Sequence, residues 1–261
     1  MINVSVTGRA AGLFLLFTAN LLASDLKPAT DRYYLDHLKS LEQSMANRPQ
    51  FLLIDKTDGL RKKVHEGFVH IKDARAEKEP PDGIIHHWEG AVFLPGVTVQ
   101  QVLTFVQNYD AHKVIYSPEV MDSKLLKHDG NHFDIRLRLY KKKVITAVLE
   151  TEHSVDYKQV SPTRWESVSH TTKVSEVDHP GTAKESEQPP GHGYGFVWRL
   201  DSYWRFEEAD GGVYMEVTSM TLSRNVPFGM GRLIRPIIDE LPVESLRGIL
   251  TKTRANLKPK H

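Results

Sequence analysis

The sequence predicts an α+β fold, in which a run of antiparallel strands lies between helices and a long C-terminal helix covers the sheet. Two observations carry this prediction. Residues 193–224 form two alternating runs on either side of Asp210-Gly211, a pair typical of a tight hairpin turn. After Phe228, apolar residues recur at helical spacing, with charged residues on the other side. A run of strands followed by a separate helix indicates the α+β class.

The hairpin has one apolar face and one charged face. A type I′ turn at Asp210 and Gly211 places Ser202 opposite Ser219 and Trp204 opposite Val217. A face so rich in indole and phenyl rings must be covered by another part of the chain. The predicted inner face consists of Phe196, Trp198, Leu200, Ser202, Trp204, Phe206, Val213, Met215, Val217 and Ser219.

The cover follows directly in the sequence. The apolar stripe of the C-terminal helix begins at Met230 and Ile234 and resumes beyond Pro242 as far as Leu257. Proline inside a helix removes one hydrogen bond, so we expect a kink at Pro236 and a break or bend at Pro242. The sequence therefore predicts a curved antiparallel sheet wrapped around this helix.

Length and composition exclude several classes of protein. The chain has 261 residues, 26% of them charged, and a net charge of +1, which gives no bulk attraction to nucleic acid. The basic run 141–143 is interpreted as a solvated turn, with contact to an anionic membrane surface as the alternative. Without cysteine there is no disulfide, thiol chemistry or thiolate metal site.

The N-terminus predicts export. Arg9 precedes an apolar run over residues 10–23, shorter than the roughly 20 residues that a membrane span needs. We interpret residues 1–24 as a signal peptide cut near Ala23 or Ser24, with an uncleaved anchor as the alternative. A periplasmic or extracellular location fits a mature protein without cysteine.

Residues 25–82 precede the main domain. The spacing of apolar residues predicts a helix over 31–46 that packs on the outside of that domain. Phe51–Ile54 and 64–71 are predicted as short extended pieces, and 73–83 as a loop.

The main domain is predicted at 83–258. A strand over 84–94 is followed by Thr98 and Gln101, spaced as a capping box that starts a helix. Strand patterns then follow in succession as far as the hairpin; they cover 120–127, 133–140, 144–157 and 165–177.

This order of elements resembles the START/SRPBCC superfamily, which has the helix-grip or Bet v 1-like fold. Several motifs look like those of exported bacterial proteins of this type without assigned activity: Gly83-Ile-Ile-His-His-Trp88, Lys142-Lys-Val-Ile-Thr146, Thr151-Glu-His153, Tyr203-Trp-Arg-Phe-Glu-Glu208, Gly211-Gly-Val-Tyr214 and Leu222-Ser-Arg-Asn-Val-Pro227. The resemblance covers about residues 84–257. It implies a cavity between sheet and terminal helix, and its members include ligand carriers, ubiquinone binders and polyketide cyclases or aromatases.

The candidate ligand-binding residues are those expected to line that cavity, where a mostly apolar wall carries a few polar groups. A filled core is the alternative. The candidates are Trp88, His153, His170, Phe196, Trp198, Ser202, Trp204, Met215, Ser219, Met230 and Ile234.

His153 and His170 are also the candidate catalytic pair. If Val160 lies opposite Thr163, the two histidines face each other across neighbouring strands. Such a pair is able to transfer a proton or to hydrogen-bond a ligand carbonyl, whereas two structural histidines satisfied by neighbours are the alternative. No metal site is predicted, because no third ligand stands at a diagnostic spacing.

Three hypotheses follow from the sequence. The first is a monomeric, cofactor-free binding protein for an apolar small molecule or lipid, making at most transient contact with a membrane. The second is a cyclase, dehydratase or hydrolase using His153 and His170. The third is a partner-binding module with an exposed apolar patch on the first helix or on the loop at 178–191. The sequence contains no phosphate loop, dinucleotide fingerprint or nucleophile-elbow motif.

Overall fold

A computed structural model describes residues 24–76, 78–142, 146–225 and 231–257, giving the backbone alone for 231–239 and 241. The predicted signal peptide therefore lies almost wholly outside the described residues. The helices are α1 (Pro28–Ala46), α2 (Leu60–His65), α3 (Val99–Val106), α4 (His112–Ile115) and α5 (Gly231–Asn256), with 3-10 turns at Leu53–Lys56 and Tyr109–Ala111. The strands are β1 (His70–Asp73), β2 (Gly83–Pro95), β3 (Val120–Asp129), β4 (His132–Lys142), β5 (Thr146–Ser161), β6 (Arg164–Asp178), β7 (Ser186–Glu187), β8 (Arg199–Ala209) and β9 (Gly212–Arg224).

The strands form one antiparallel sheet in the order β1-β2-β9-β8-β6-β5-β4-β3, with β7 beside β6. Its inner face packs against α3 and the C-terminal half of α5, and this contact forms the largest apolar core. The predicted α+β class and the helix-grip arrangement are confirmed.

The β8–β9 hairpin has the predicted register. Ser202 pairs with Ser219 and Trp204 with Val217. Asp210 and Gly211 have φ of +55° and +77°, as a type I′ turn requires at both central positions. The alternation of side chains between the two faces therefore follows from the turn.

The terminal helix lies close against β2. A methyl group at Gly90 would stand 3.0 Å from Leu246 Cδ2 and 3.0 Å from Leu250 Cδ1, so the absence of a side chain sets the approach. A break at Pro242 is not found, since α5 is continuous from Gly231 to Asn256. The bend at Pro242 and the kink at Pro236 stay predictions. A long helix anchored by packing tolerates the one hydrogen bond that proline removes.

The outer face of the sheet is covered by residues 24–65, here called the N-terminal strap. Its helix α1 begins with proline in the first turn, which suits the fixed φ of that residue. As predicted, α1 packs outside the sheet, where Tyr34 and Leu38 are buried against Tyr203 and Met220.

The second half of the strap differs from the prediction. Phe51–Ile54 is not extended but leads into a 3-10 turn, and the stretch predicted as extended from 64 begins inside helix α2. The cause is a distant carboxylate. Glu216 accepts hydrogen bonds from the backbone N–H of Leu53 at 2.5 Å and of Ile54 at 3.2 Å, which bends the chain over β9.

Among the described residues, no helix is both long enough and apolar enough to cross a membrane. The large apolar side chains that stand exposed in the described part of the chain are Leu35, Phe68, Val114, Met121, Leu126 and Val160. Only Leu35 belongs to α1 and none belongs to 178–191, so the apolar patch required by the partner-binding hypothesis is not found there.

Candidate inner-face binding site

A row of four side chains crosses the middle of the inner face. Trp88 on β2 pairs with Ser219 on β9, Ser219 with Ser202 on β8, and Ser202 with Ser169 on β6. We call these four residues the inner row. The register of three strand pairs, rather than any local motif, brings them together.

The inner row stays partly accessible although it lies in the centre of a nine-stranded sheet. All four residues are half-buried, whereas Gly90, Val217 and Ser167 in the adjacent row of the inner face are buried. Accessible surface in the centre of a covered sheet means that a space large enough for water reaches it. We call this accessible space beside the inner row the inner hollow.

One donor of the inner row has no partner. The indole Nε1–H of Trp88 is buried and makes no hydrogen bond within the described structure. The indole of Trp204 is different, because its Nε1–H donates to Ser202 Oγ at 3.1 Å. Buried indole N–H groups in proteins are usually paired, so the Trp88 donor is a candidate for contact with a ligand.

His153 lies on the same face and is buried. Its Nε2 is 3.0 Å from Thr151 Oγ1, and its Nδ1 is 3.4 Å from Ser169 Oγ. The Thr151 hydroxyl donates to the Leu137 carbonyl, so its oxygen must accept from Nε2–H, and Nδ1 then accepts from Ser169. Burial lowers the pKa of His153 to about 4, so the ring is neutral.

His170 lies on the opposite face. Its Nδ1 is 3.1 Å from Asp201 Oδ1 and its Nε2 is 3.5 Å from Glu42 on α1. The hydrogen bond to Asp201 raises the pKa of His170, although burial opposes this. The ring therefore helps to hold α1 and does not reach the inner hollow.

The predicted pairing of His153 with His170 is wrong. His153 pairs with Thr171, and His170 with Ser154. The prediction assumed Val160 opposite Thr163, but the strands close with Ser161 opposite Arg164 and contain register shifts after Gln159 and after Glu152. A shift of one residue turns a side chain to the other face of the sheet, which separates the two rings.

The structure divides the other predicted residues. Trp204 and Met215 belong to the largest apolar core, Ser202 and Ser219 to the inner row, and Trp88 to both. Met230 lies outside the described residues, and the side chain of Ile234 is likewise not described.

Phe196 and Trp198 precede the first residue of β8, so the alternation of the hairpin does not apply to them. Phe196 lies in the loop, where its N–H donates to Glu176 Oε1 at 2.7 Å. Trp198 packs with Tyr34 and Leu38 on the outer face, and its predicted place on the inner face is wrong.

Sequence reasoning missed Ser169 and, as a hydrogen-bond partner of His153, Thr151. The alternation of β6 would have found Ser169 only if the register with β8 had been known.

A second polar cluster lies inside the fold and is internally satisfied. Tyr109 and Tyr157 share a hydrogen bond of 2.8 Å between their hydroxyl groups, and Tyr116 bonds Thr253 of α5 at 2.9 Å. Burial raises the pKa of all three phenols, so each keeps its proton. The Tyr116–Thr253 bond ties α5 to the residue that follows α4. These hydroxyl groups therefore need no ligand to satisfy them.

The sheet and the terminal helix make this an α+β protein of helix-grip architecture. No protein-family model matches the sequence, and a search of curated proteins gives no match.

Among solved structures, the STAR-related lipid transfer protein of Xanthomonas axonopodis is 14% identical over 70% of this chain and 98% of its own, with a TM-score of 0.47. The Zhui aromatase/cyclase of Streptomyces sp. R1128 is 12% identical over 66% and 93%, with a TM-score of 0.44. The lipid transfer and protein localization domain of human StarD13 is 12% identical over 77% and 96%, with a TM-score of 0.44. The resemblance is one of fold, which the sheet order and the terminal helix show by themselves.

Proposed function

We propose that the protein binds an apolar small molecule or lipid in the inner hollow. The observation that carries this proposal is the partial accessibility of the inner row at the centre of the sheet. Around it stand apolar side chains, among them Trp204, Val217 and Leu137. Apolar walls with a few polar groups are typical of small-molecule sites.

Binding is favoured over catalysis because the candidate acid–base pair is divided. His153 faces inward and His170 faces Asp201 on the outside. Both nitrogens of His153 are engaged by Thr151 and Ser169, so neither is directed at a substrate. General acid–base catalysis needs a group within hydrogen-bond reach of the reacting atom.

The place of action belongs to the same proposal. The apolar run at 10–23 and the absence of cysteine support an exported protein, periplasmic or extracellular. A monomer that contacts membranes transiently, to collect or release its ligand, fits this location.

The experiment is native mass spectrometry of the purified protein, followed by solvent extraction of any bound compound. A displaceable apolar fluorescent probe then measures affinity. The variant Ser202→Leu fills the centre of the inner row, and we expect it to weaken probe binding at least about tenfold, the effect of losing about 1.4 kcal/mol. The control Thr172→Leu changes an exposed residue of the same sheet and should bind as the parent does.

Two results would contradict the proposal. The first is the absence of both a bound compound and saturable probe binding in the parent protein. The second is unchanged binding by a folded Ser202→Leu variant, since the probe would then occupy another place.

A further inference from the structure

We infer that the ligand is uncharged and presents an acceptor oxygen, such as a ketone or ester carbonyl, to the indole N–H of Trp88. This inference rests on the proposed function and names the chemical class that the inner hollow would take. It depends on which donors the inner row leaves open and on where the sheet places its charges.

The first step concerns the open donors. Trp88 Nε1–H is buried without a partner in the described structure, and a ligand oxygen would satisfy it. The Ser202 oxygen accepts a hydrogen bond from the Trp204 N–H, so the Ser202 hydroxyl hydrogen is directed away from Trp204 and can be donated to another acceptor. The inner row therefore offers donors, and a ligand complementary to donors carries an acceptor.

The second step concerns the far end of the row. Ser169 donates to His153, which donates to Thr151, which donates to the Leu137 carbonyl. Each hydrogen in this series is committed, so the series ends inside the protein. Ser169 and His153 thus add no free donor, and the ligand oxygen is expected at the Trp88 end.

The third step concerns charge. The four residues of the inner row are uncharged, and the charged side chains of β8 and β9 at Asp201, Arg205 and Glu216 face the strap on the outer side. A carboxylate or phosphate placed against the inner row would lose its hydration, and none of these four described side chains offers it an opposite charge.

One cation does lie near Trp88. The guanidinium of Arg75 is 5.9 Å from the centre of the indole ring. Asp73 neutralises it through bonds of 2.6, 2.9 and 3.0 Å, so its charge is already balanced. A ligand anion would have to compete with this carboxylate.

The test uses three pyrene probes of similar size: the methyl ester of 1-pyrenebutanoic acid, the free 1-pyrenebutanoate and 1-butylpyrene. We expect the parent protein to bind the ester at least about tenfold more tightly than the carboxylate, because an unpaired charge is costly to bury. Trp88→Phe keeps an aromatic ring and removes the donor. It should weaken ester binding about three- to tenfold, the effect of one hydrogen bond, and leave butylpyrene binding within about twofold.

Trp204→Phe is the matched control, because its N–H is already given to Ser202. Trp204→Phe should change the affinities for the ester and for butylpyrene by the same factor. A second readout needs no substitution: the indole N–H resonance of Trp88 should move downfield on addition of the ester and not of butylpyrene.

The outcomes are distinct. Equal or tighter binding of the carboxylate would overturn the uncharged class. The role of Trp88 would be overturned if Trp88→Phe weakened binding of both neutral probes equally. It would also be overturned if the Trp88 indole N–H resonance did not shift on addition of the ester. If the parent protein binds none of the three probes, the proposed function itself fails and this inference falls with it.

Discussion

The Tyr34 hydroxyl donates a hydrogen bond of 2.5 Å to Asp201 Oδ2, joining α1 of the strap to strand β8 across the outer face. Tyr34 is fully buried, and the other oxygen of Asp201 is 3.1 Å from His170 Nδ1. The Asp201 carboxylate therefore binds side chains of both helix α1 and strand β6. Hydrogen bonds to a charged group are stronger than those between neutral groups.

Tyr34→Phe should lower the free energy of unfolding by about 1–3 kcal/mol, because a buried carboxylate loses a donor. Urea denaturation measures the change. Tyr33→Phe is the control, since that hydroxyl makes an exposed 3.3 Å bond to the Lys78 carbonyl. Equal effects of the two substitutions would show that the Asp201 contact adds nothing to stability.

Glu216 should be a second point of stability for the strap. Its buried carboxylate accepts from the N–H groups of Leu53 and Ile54 and lies 3.5 Å from Arg48. Glu216→Leu leaves a buried guanidinium without this partner, so we expect a loss of about 3 kcal/mol.

Denaturant unfolding of this variant is compared with that of Glu152→Leu. The carboxylate of Glu152 is more exposed, and its contact with Lys173 is long, at 4.0 Å. The control should change stability by less than about 0.5 kcal/mol. A loss in Glu216→Leu no larger than in the control would mean that the strap is held by apolar contacts alone.

His153 should make stability depend on pH. Its pKa is about 4 in the folded protein because of burial, against 6.5 ordinarily, so the unfolded chain binds an extra proton between these values. This contribution is complete above pH 6.5 and is lost as the pH falls towards 4, amounting to about 3 kcal/mol over the interval.

The measurement is unfolding free energy against pH for His153→Gln. The variant should take up about one proton fewer on unfolding between pH 4 and 6.5. Burial also lowers the pKa of His112 to about 4. A variant with both His153→Gln and His112→Gln should therefore take up about two protons fewer than the parent on unfolding in this pH range. A slope that His153→Gln leaves unchanged would show that the folded ring titrates normally.

Gly90 should tolerate no methyl group without cost. Gly90→Ala brings Cβ within 3.0 Å of Leu246 and Leu250 and should lower stability by about 1–3 kcal/mol, as over-packing does. Gly248→Ala, in α5 itself with its nearest contact at 3.7 Å, should instead raise stability by about 0.5–1 kcal/mol. Thermal unfolding of both variants tests the close approach of α5 to β2. Stabilisation by both substitutions would mean that the helix can move away.

The hairpin was predictable from sequence because its information is local. The turn residues Asp210 and Gly211 fix the pairing, and alternation then assigns Trp204 and Met215 to the inner face. The helix stripe after Phe228 likewise predicted the cover. Trp198 was misplaced because the loop ends only at Arg199, and no composition signal marks that boundary.

The pairing of β5 with β6 was not predictable in the same way. The register shifts at Glu152 and Gln159 interrupt the regular alternation on which the predicted pairing of His153 with His170 depended. The strap contacts join residues far apart in the chain, such as Tyr34 and Asp201, and leave no periodic trace in the sequence. The inner row depends on the register of four strands, which the sequence alone does not determine.

The strap has a practical consequence for anyone shortening this chain. An expression clone that starts at residue 83, where the predicted main domain begins, would remove the cover from Tyr203, Met220, Leu222, Phe93 and Tyr214. An exposed aromatic and aliphatic surface of this kind favours aggregation. The smallest fragment worth producing therefore begins near Ser24 and keeps both halves of the outer layer.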